Sequence, residues 1–474
     1  MDADFVIQNG QIVTAQAVFQ ADLAVRDGKI AAVGSGLRGS QVYDAQGCLV
    51  LPGGVDVHVH PQMPYGSEST GDDWYSASRA AACGGTTTLI DFVEPLPDEP
   101  LLEALDRRLS LIAPQAYVDY SLHMTITSAH RRVLTQLAGV VERGVPSFKF
   151  YTTYSGFGLS DADLLKALEA VHEVNGLALV HAESDALVKW STRKLRRAKR
   201  TAPRFFPLSR PPFAEVEAVQ RVIFLAQAAA ARLYLVHLTT AESLQAVQQA
   251  QSKGWQLFAE TCPQYLLLDD TVYSAENPLE AAGYVCAPPL RPAGHCAALW
   301  QHIESGTIHT IGSDHCAFSL HRQKARGVED FNLIPPGLPG VEARLSLIYT
   351  CGVCTGRISA SRWVDLCCTQ PARLFGLYPK KGCLQVGSDA DIVIFDPRVS
   401  FRLAAQSTRP GFSLHEGVDY TPYEGWEVKG WPVTVFLRGA PIVAHRQPSS
   451  PHLLGVFLPR YFDGTPHAKE VVSF

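Results

Sequence analysis

Six side chains have the types and placement to hold divalent metal: His58, His60, Lys149, His181, His237 and Asp314. Val55-Asp56-Val57-His58-Val59-His60 ends an apolar strand pattern in a His-x-His. The two-residue period of a strand turns both imidazoles to one face, as two ligands of a single ion require. The motif is weak alone, because 16 histidines in 474 residues yield about 0.5 such pairs by chance. Its context is positional: His181 follows Leu177 to Val180, His237 follows Leu233 to Val236, and Asp314 follows Ile308 to Ser313, each at the exit of a different apolar run. Lys149, in Ser147-Phe148-Lys149-Phe150-Tyr151, sits in another such run, where an ammonium is expensive to bury. An isolated lysine there would snorkel to solvent, and any one of the others would serve as a hydrogen-bonded core or rim residue. Their joint placement is hard to reach by packing alone. Four imidazoles and one carboxylate are too few ligands for two neighbouring ions unless an anion is shared. A carbamate, Lys149 carboxylated on its nitrogen by CO2, would supply that anion and bridge two divalent metal ions.

The elements that must position these groups alternate apolar strands with helical patterns. Strands are predicted at 54–58, 87–92, 118–124, 147–151, 177–181, 233–237, 256–260 and 308–314. Helices fall between them, for example Asp161 to Val174 with apolar Leu164, Leu165, Leu168 and Val171, and Phe213 to Ala230 with Val216, Val219, Ile223 and Leu225. Eight such units imply an α/β fold, a (β/α)8 barrel over residues 51–385 with its active site at the C-terminal strand ends. Residues 1–50 read as short strands divided by Asn9-Gly10 and Asp27-Gly28 turns, and matching strands return at Ile392 to Phe395 and Val433 to Leu437. The two ends, 1–50 and 386–445, are expected to form one small β-sandwich domain. The tail Arg446 to Phe474 shows no core pattern and is expected to pack on a neighbouring subunit. The basic run Lys189 to Arg200 reads as a solvated helix or a subunit contact.

Composition narrows the function. With 46% hydrophobic and 18% charged residues the chain is globular, and a net charge of -5 gives no reason to expect nucleic acid or a membrane surface as partner. No basic, apolar leader opens the sequence and no run approaches a membrane span. The 11 cysteines are odd in number and scattered, which suggests free thiols in a reducing cytoplasm. Cys351 and Cys354 form a C-x-x-C without a second pair or a nearby histidine, and read as core packing.

The segments PGGVDVHVH, AAACGGTTTLIDF, SFKFYTTY, VHAES, LVHLT, ETCPQYLLLD, PPLR, SDHCAF, LPGVE, PARLFGL and GSDADIVIFDP, in this order along the chain, resemble the cyclic amidohydrolases, that is the dihydropyrimidinases and hydantoinases of the amidohydrolase superfamily. The resemblance implies that residues matching His58, His60, Lys149 and Asp314 bind one zinc, that Lys149, His181 and His237 bind the second, and that a hydroxide lies between the ions. It implies that Tyr154 grips the substrate carbonyl, that Asp314 is both ligand and acid/base, and that main-chain groups at Ala287 and Pro336 hold the ring. Relatives usually carry Ser and Asn at those last two places, and Pro336 can offer only its carbonyl. A homotetramer is implied as well.

The expected reaction is hydrolysis of the cyclic amide bond of 5-substituted hydantoins or dihydropyrimidines to N-carbamoyl amino acids. A dihydroorotase would carry Arg where Gln62 stands, so a neutral ring is favoured. Allantoinases usually carry His where Gln264 stands, although Cys286-Ala287-Pro288-Pro289 is somewhat allantoinase-like, and allantoin is the alternative substrate. The loops Met63 to Thr70 and Ser155 to Leu159 are expected to wall the pocket, with Tyr65 and Phe157 suited to a bulky apolar substituent. Glu183 and His315 match no catalytic position. Two other readings are a structural protein like the collapsin response mediator proteins, which have lost metal ligands, and a single-metal deaminase, which lacks the bridging lysine. This chain keeps every ligand and Lys149.

Overall fold

A computed structural model describes residues 3–406, 413–450 and 452–462. Eight parallel strands form the central sheet in sequential order. They are β1 (Gly54–Val59), β2 (Thr86–Val93), β3 (Asp119–Thr125), β4 (Ser147–Tyr151), β5 (Leu177–His181), β6 (Leu233–Leu235), β7 (Leu257–Thr261) and β8 (Thr310–Ile311). A parallel bridge between Val59 and His315, with the His60 amide donating to the His315 carbonyl at 2.8 Å, brings the last strand back to the first. The sheet is therefore a near-closed barrel, wrapped by helices whose apolar stripes pack on its outer face.

Those helices follow from their local sequence. In Asp161–Glu173, the Ser160 hydroxyl accepts from the Asp163 amide at the N-terminus, and Leu164, Ala167, Leu168 and Val171 form the buried stripe. Pro212–Ala228 begins on a proline, which suits a first turn, and buries Ala218, Val219, Val222, Ile223 and Ala226. The basic run lies on and just beyond helix Asp185–Arg197, and all its lysines and arginines are exposed.

The two chain ends do pair. Leu49–Pro52 runs antiparallel to Ile392–Arg402 with Ile392 opposite Pro52, inside a seven-stranded sheet. A four-stranded sheet from residues 3–44 faces it. Phe5, Leu23 and Val25 of one sheet and Val50, Ile394 and Phe436 of the other share one core, with Phe5 and Phe436 stacked at 4.9 Å.

Two sequence expectations need correction. The sixth and eighth strands stop at Leu235 and Ile311, short of the apolar runs, because His237 and Asp314 adopt left-handed backbone with φ of 39° and 50°. The tail does not leave its own chain as far as Phe462: Phe457 bridges Tyr120 at β3, and Arg460 is fully buried. Its guanidinium donates to Ser121 Oγ at 2.7 Å, Ser147 Oγ at 2.7 Å and the Phe375 carbonyl at 3.3 Å, so enough acceptors meet a charge that looked like surface. The subunit contact expected of residues 463–474 lies outside the described residues. Among the described residues no helix is long and apolar enough to cross a membrane.

Candidate metal centre

The metal-ligand candidates stand at the C-terminal ends of five barrel strands. On β1 the register against β2 shifts, with Asp56 and Val59 opposite Leu89 and Asp91, three residues against two. Such a bulge re-aims side chains, and here it precedes His60. Lys149 lies within β4, His181 ends β5, and His237 and Asp314 follow β6 and β8. The unusual backbone of the last two is held by buried carboxylates. The His237 amide donates to Glu260 Oε1 at 3.0 Å, and the Ser313 amide donates to Asp56 Oδ1 at 3.1 Å. Tyr154 is also left-handed, with φ of 76°, in a turn closed by the Gly158 amide donating to its carbonyl at 2.8 Å. Strained backbone of this kind gathers at functional sites.

The imidazole nitrogens converge. His58 Nε2 and His60 Nε2 lie 3.3 and 3.4 Å from Asp314 Oδ1. His181 Nδ1 and His237 Nε2 face each other at 2.9 Å. His58, His237 and Asp314 each bring a ligand atom within 4.8 Å of the others, a set able to hold a metal ion. The opposite ring nitrogens of two of these imidazoles are already engaged: His58 Nδ1 meets Glu260 Oε1 at 2.6 Å and His181 Nε2 meets Glu183 Oε2 at 2.8 Å. With its outer N–H donating to a carboxylate, each ring keeps the lone pair of its inward nitrogen, as a metal ligand requires. Burial pushes His58, His181 and His237 below the usual histidine range, so all three are neutral at pH 7. Desolvation raises Asp314, but the His58 and His60 imidazoles outweigh it and keep the carboxyl below its ordinary value.

Lys149 is 1% exposed, and among the described residues its amine makes no hydrogen bond or ion pair. It lies 5.0 Å from the Phe92 ring centre and 5.1 Å from that of Tyr151. Burial lowers it to about 8. The residues thus fit two divalent ions sharing a bridging group on Lys149: buried lone pairs point inward, and the Lys149 amine lines the same cavity without a hydrogen-bond partner among the described residues.

A cavity of about 320 Å³ opens over this cluster. It is lined by all six ligand candidates, by Tyr154, and by Ala287 and Pro336. Met63 to Tyr65, Ser155 and Phe157 form its outer wall, from the two loops expected there. Gln62 does not reach it and instead accepts from Gln115 at 3.3 Å; Gln264 is turned to the Ser313 carbonyl at 3.2 Å. His315 is also elsewhere, 3.0 Å from Asp72.

Sequence reasoning missed Glu260 and Arg210. Glu260 ties His58, the His237 amide and, at 2.8 Å, the Tyr234 hydroxyl; desolvation raises it to about 7. Its position near the end of a barrel strand was the available signal. The Arg210 guanidinium pairs with Glu183 and lies 4.9 Å from the Tyr154 ring centre. Burial opposes ionisation of Glu183, yet Arg210 and His181 hold it down at about 2. Nothing in the sequence placed Arg210 beside Tyr154. Another His/Cys/Glu group, Cys83, Glu342 and His415, is taken up internally, with His415 Nδ1 bonded to Glu342 Oε1 at 2.8 Å.

Fold and site together define a barrel enzyme class with a candidate His/Asp metal centre at the C-terminal strand ends. The chain belongs to the amidohydrolase family, which residues 49–442 match. It is 42% identical to the D-hydantoinase of Geobacillus stearothermophilus over 446 residues, 93% of each chain. It is 38% identical to the D-hydantoinase of Streptomyces coelicolor over 468 residues, 97% of this chain and 98% of that one. Among solved structures, a dihydropyrimidinase from Brevibacillus agri superposes with a TM-score of 0.93 at 37% identity, covering 98% of this chain and 99% of that one.

Proposed function

We propose that this protein is a binuclear metal-dependent cyclic amidohydrolase that opens 5-substituted hydantoins or dihydropyrimidines to N-carbamoyl amino acids. The observation that carries the reading is the convergence of buried imidazole nitrogens and Asp314 around a lysine amine with no partner, in a chain that matches hydantoinases over nearly its full length. His58, His60 and Asp314 would hold one ion, His181 and His237 the other, and Lys149 would bridge them once its nitrogen bonds CO2 and releases a proton. Zinc suits this donor set. Two such ions supply Lewis-acid polarisation of the scissile carbonyl and make water acidic enough to attack at neutral pH.

The protein's own groups do the rest. Asp314, ionised at neutral pH, accepts the proton of the attacking water and delivers it to the ring nitrogen as the C–N bond breaks. Burial raises the Tyr154 phenol well above its usual range, so it remains a donor to the carbonyl oxygen as that oxygen gains charge. The main chain at Ala287 and Pro336 borders the ring's place in the cavity, Pro336 through its carbonyl only. Tyr65 and Phe157 offer apolar surface to a substituent. The family resemblance favours a homotetramer, and the exposed basic helix with Trp190, 52% exposed, is the surface proposed for that contact. The 11 free cysteines accord with a cytoplasmic setting.

A substrate panel tests the reading. Metal-loaded protein should open hydantoin, dihydrouracil and one enantiomer of 5-phenylhydantoin faster than allantoin, with phenylhydantoin no slower than dihydrouracil. Failure on every hydantoin and dihydropyrimidine with metal bound would overturn it.

A further inference from the structure

Glu94 follows directly after β2 and lines the cavity. Among the described residues its carboxylate makes no hydrogen bond or ion pair. The two arginines that could serve it are committed elsewhere. Arg108 binds Asp91 Oδ2 at 2.8 and 2.6 Å, and Arg107 binds Glu99 at 2.8 Å through two nitrogens. Arg107 also donates to the Glu94 carbonyl at 2.9 Å, which pins the main chain and leaves the side chain unmatched. The other groups whose positive charge reaches it are His60 and Lys149; a metal-ligating His60 would be a neutral imidazole and carboxylation would remove the charge of Lys149, a step that rests on the function proposed above. Desolvation lifts the Glu94 carboxyl to about 6, as expected of an acid with little compensation.

The same cavity presents Tyr65, Tyr151 and Phe157. Phe157 packs edge-on to Tyr151 at 5.6 Å. Aromatic walls around an unmatched carboxylate suit an apolar stem that ends in a cation, held by charge and by the ring faces. A phenyl substituent would satisfy the rings but leave the acid desolvated and unpaired.

We propose that Glu94 reads the ring substituent, and that the preferred substrates are cyclic amides whose substituent is an alkyl stem ending in an ammonium or guanidinium group.

The test compares kcat/KM for 5-(4-aminobutyl)hydantoin, its neutral isostere 5-pentylhydantoin, and allantoin, using metal-loaded wild type, Glu94→Gln and Glu94→Leu. Wild type should favour the aminobutyl compound over the pentyl one at least tenfold. Gln should bring that ratio near one, chiefly through KM, and Leu should invert it. Should the variants not fold, wild type alone decides through product inhibition: the carbamoyl product with the ammonium should bind at least tenfold tighter than its pentyl counterpart. A wild-type ratio at or below one, a ratio that survives both substitutions, equal inhibition by the two products, or allantoin outrunning the aminobutyl compound would overturn the role of Glu94 while leaving ring opening intact. No turnover of any hydantoin, unsubstituted hydantoin included, would overturn the ring-opening reading and this inference with it.

Discussion

Two lysines in this protein are equally buried, each 1% exposed, and the molecule treats them in opposite ways. Lys381, between barrel and sandwich, meets Asp119 at 2.7 Å, Asp391 at 2.8 Å and Asp389 at 3.0 Å. Burial lowers its affinity for a proton, but three carboxylates overcome that and raise it above the usual lysine range. Lys149, in the barrel cavity, lies beside the Phe92 and Tyr151 rings with no carboxylate bonded to it, and burial outweighs the more distant pull of Asp314 and Glu260. Its proton is held less firmly than that of an ordinary lysine, which favours the free amine. Burial alone therefore says nothing about reactivity. The partners decide whether a buried lysine is held firmly as a cation or left with a weakened hold on its proton.

The comparison can be broken most directly at Lys149. Lys149→Ala should lower kcat/KM at least a thousandfold and strip metal from the protein, with a short carboxylic acid in excess restoring part of both; retained activity and metal would end the carbamate reading. Lys381→Met should act on the opposite property. It leaves Asp391 without a charge partner, whereas Asp119 keeps Arg438 and Asp389 keeps Lys29 and Lys380, and should cost about 3–5 kcal/mol in denaturant unfolding, while the folded fraction keeps its metal. Because the folded value of Lys381 lies above its unfolded one, its contribution is fully present below about pH 10 and is lost only above that, so the cost should be flat from pH 6 to 9.

Glu260→Gln probes the support of Lys149's neighbours. It weakens the acceptor that fixes the His58 ring and should reduce metal affinity about 10- to 100-fold in a competition titration. The smallest effect is the most discriminating. In chelated, CO2-free protein, Lys149→Met should be more stable than wild type below about pH 8, by roughly 1–2 kcal/mol, because the folded protein must bury an ammonium that the unfolded chain keeps in water. Between about pH 8 and 10.4 the unfolded wild type binds more protons than the folded one, its stability rises, and the advantage should fade. An advantage that persists unchanged to pH 10.5 would mean that Lys149 keeps its proton in the folded protein as firmly as in the unfolded chain, and that burial does not lower it.

Much of this was legible along the chain. Two-residue alternation and helical spacing located all eight barrel strands, and Leu49–Pro52 does meet the C-terminal strand in antiparallel register. His58, His60, Lys149, His181, His237 and Asp314 do line one cavity. The misreadings were of another kind. Apolar runs through His237 and Asp314 looked like continuous strand because a pattern of residue types carries no record of left-handed backbone. Arg460 looked like tail because its acceptors, Ser121, Ser147 and Phe375, come from three distant segments.

The amino-acid sequence by itself determined which short segments are strands or helices, since those depend on neighbours within a few residues, and which side chains could ligate metal. Only the tertiary structure decided what each polar group faces. Glu260 reaches His58 across 202 residues and Lys381 reaches Asp119 across 262. Proton affinity depends on charges and desolvation within a few ångströms in space, so the difference between Lys149 and Lys381 exists only once the chain has folded.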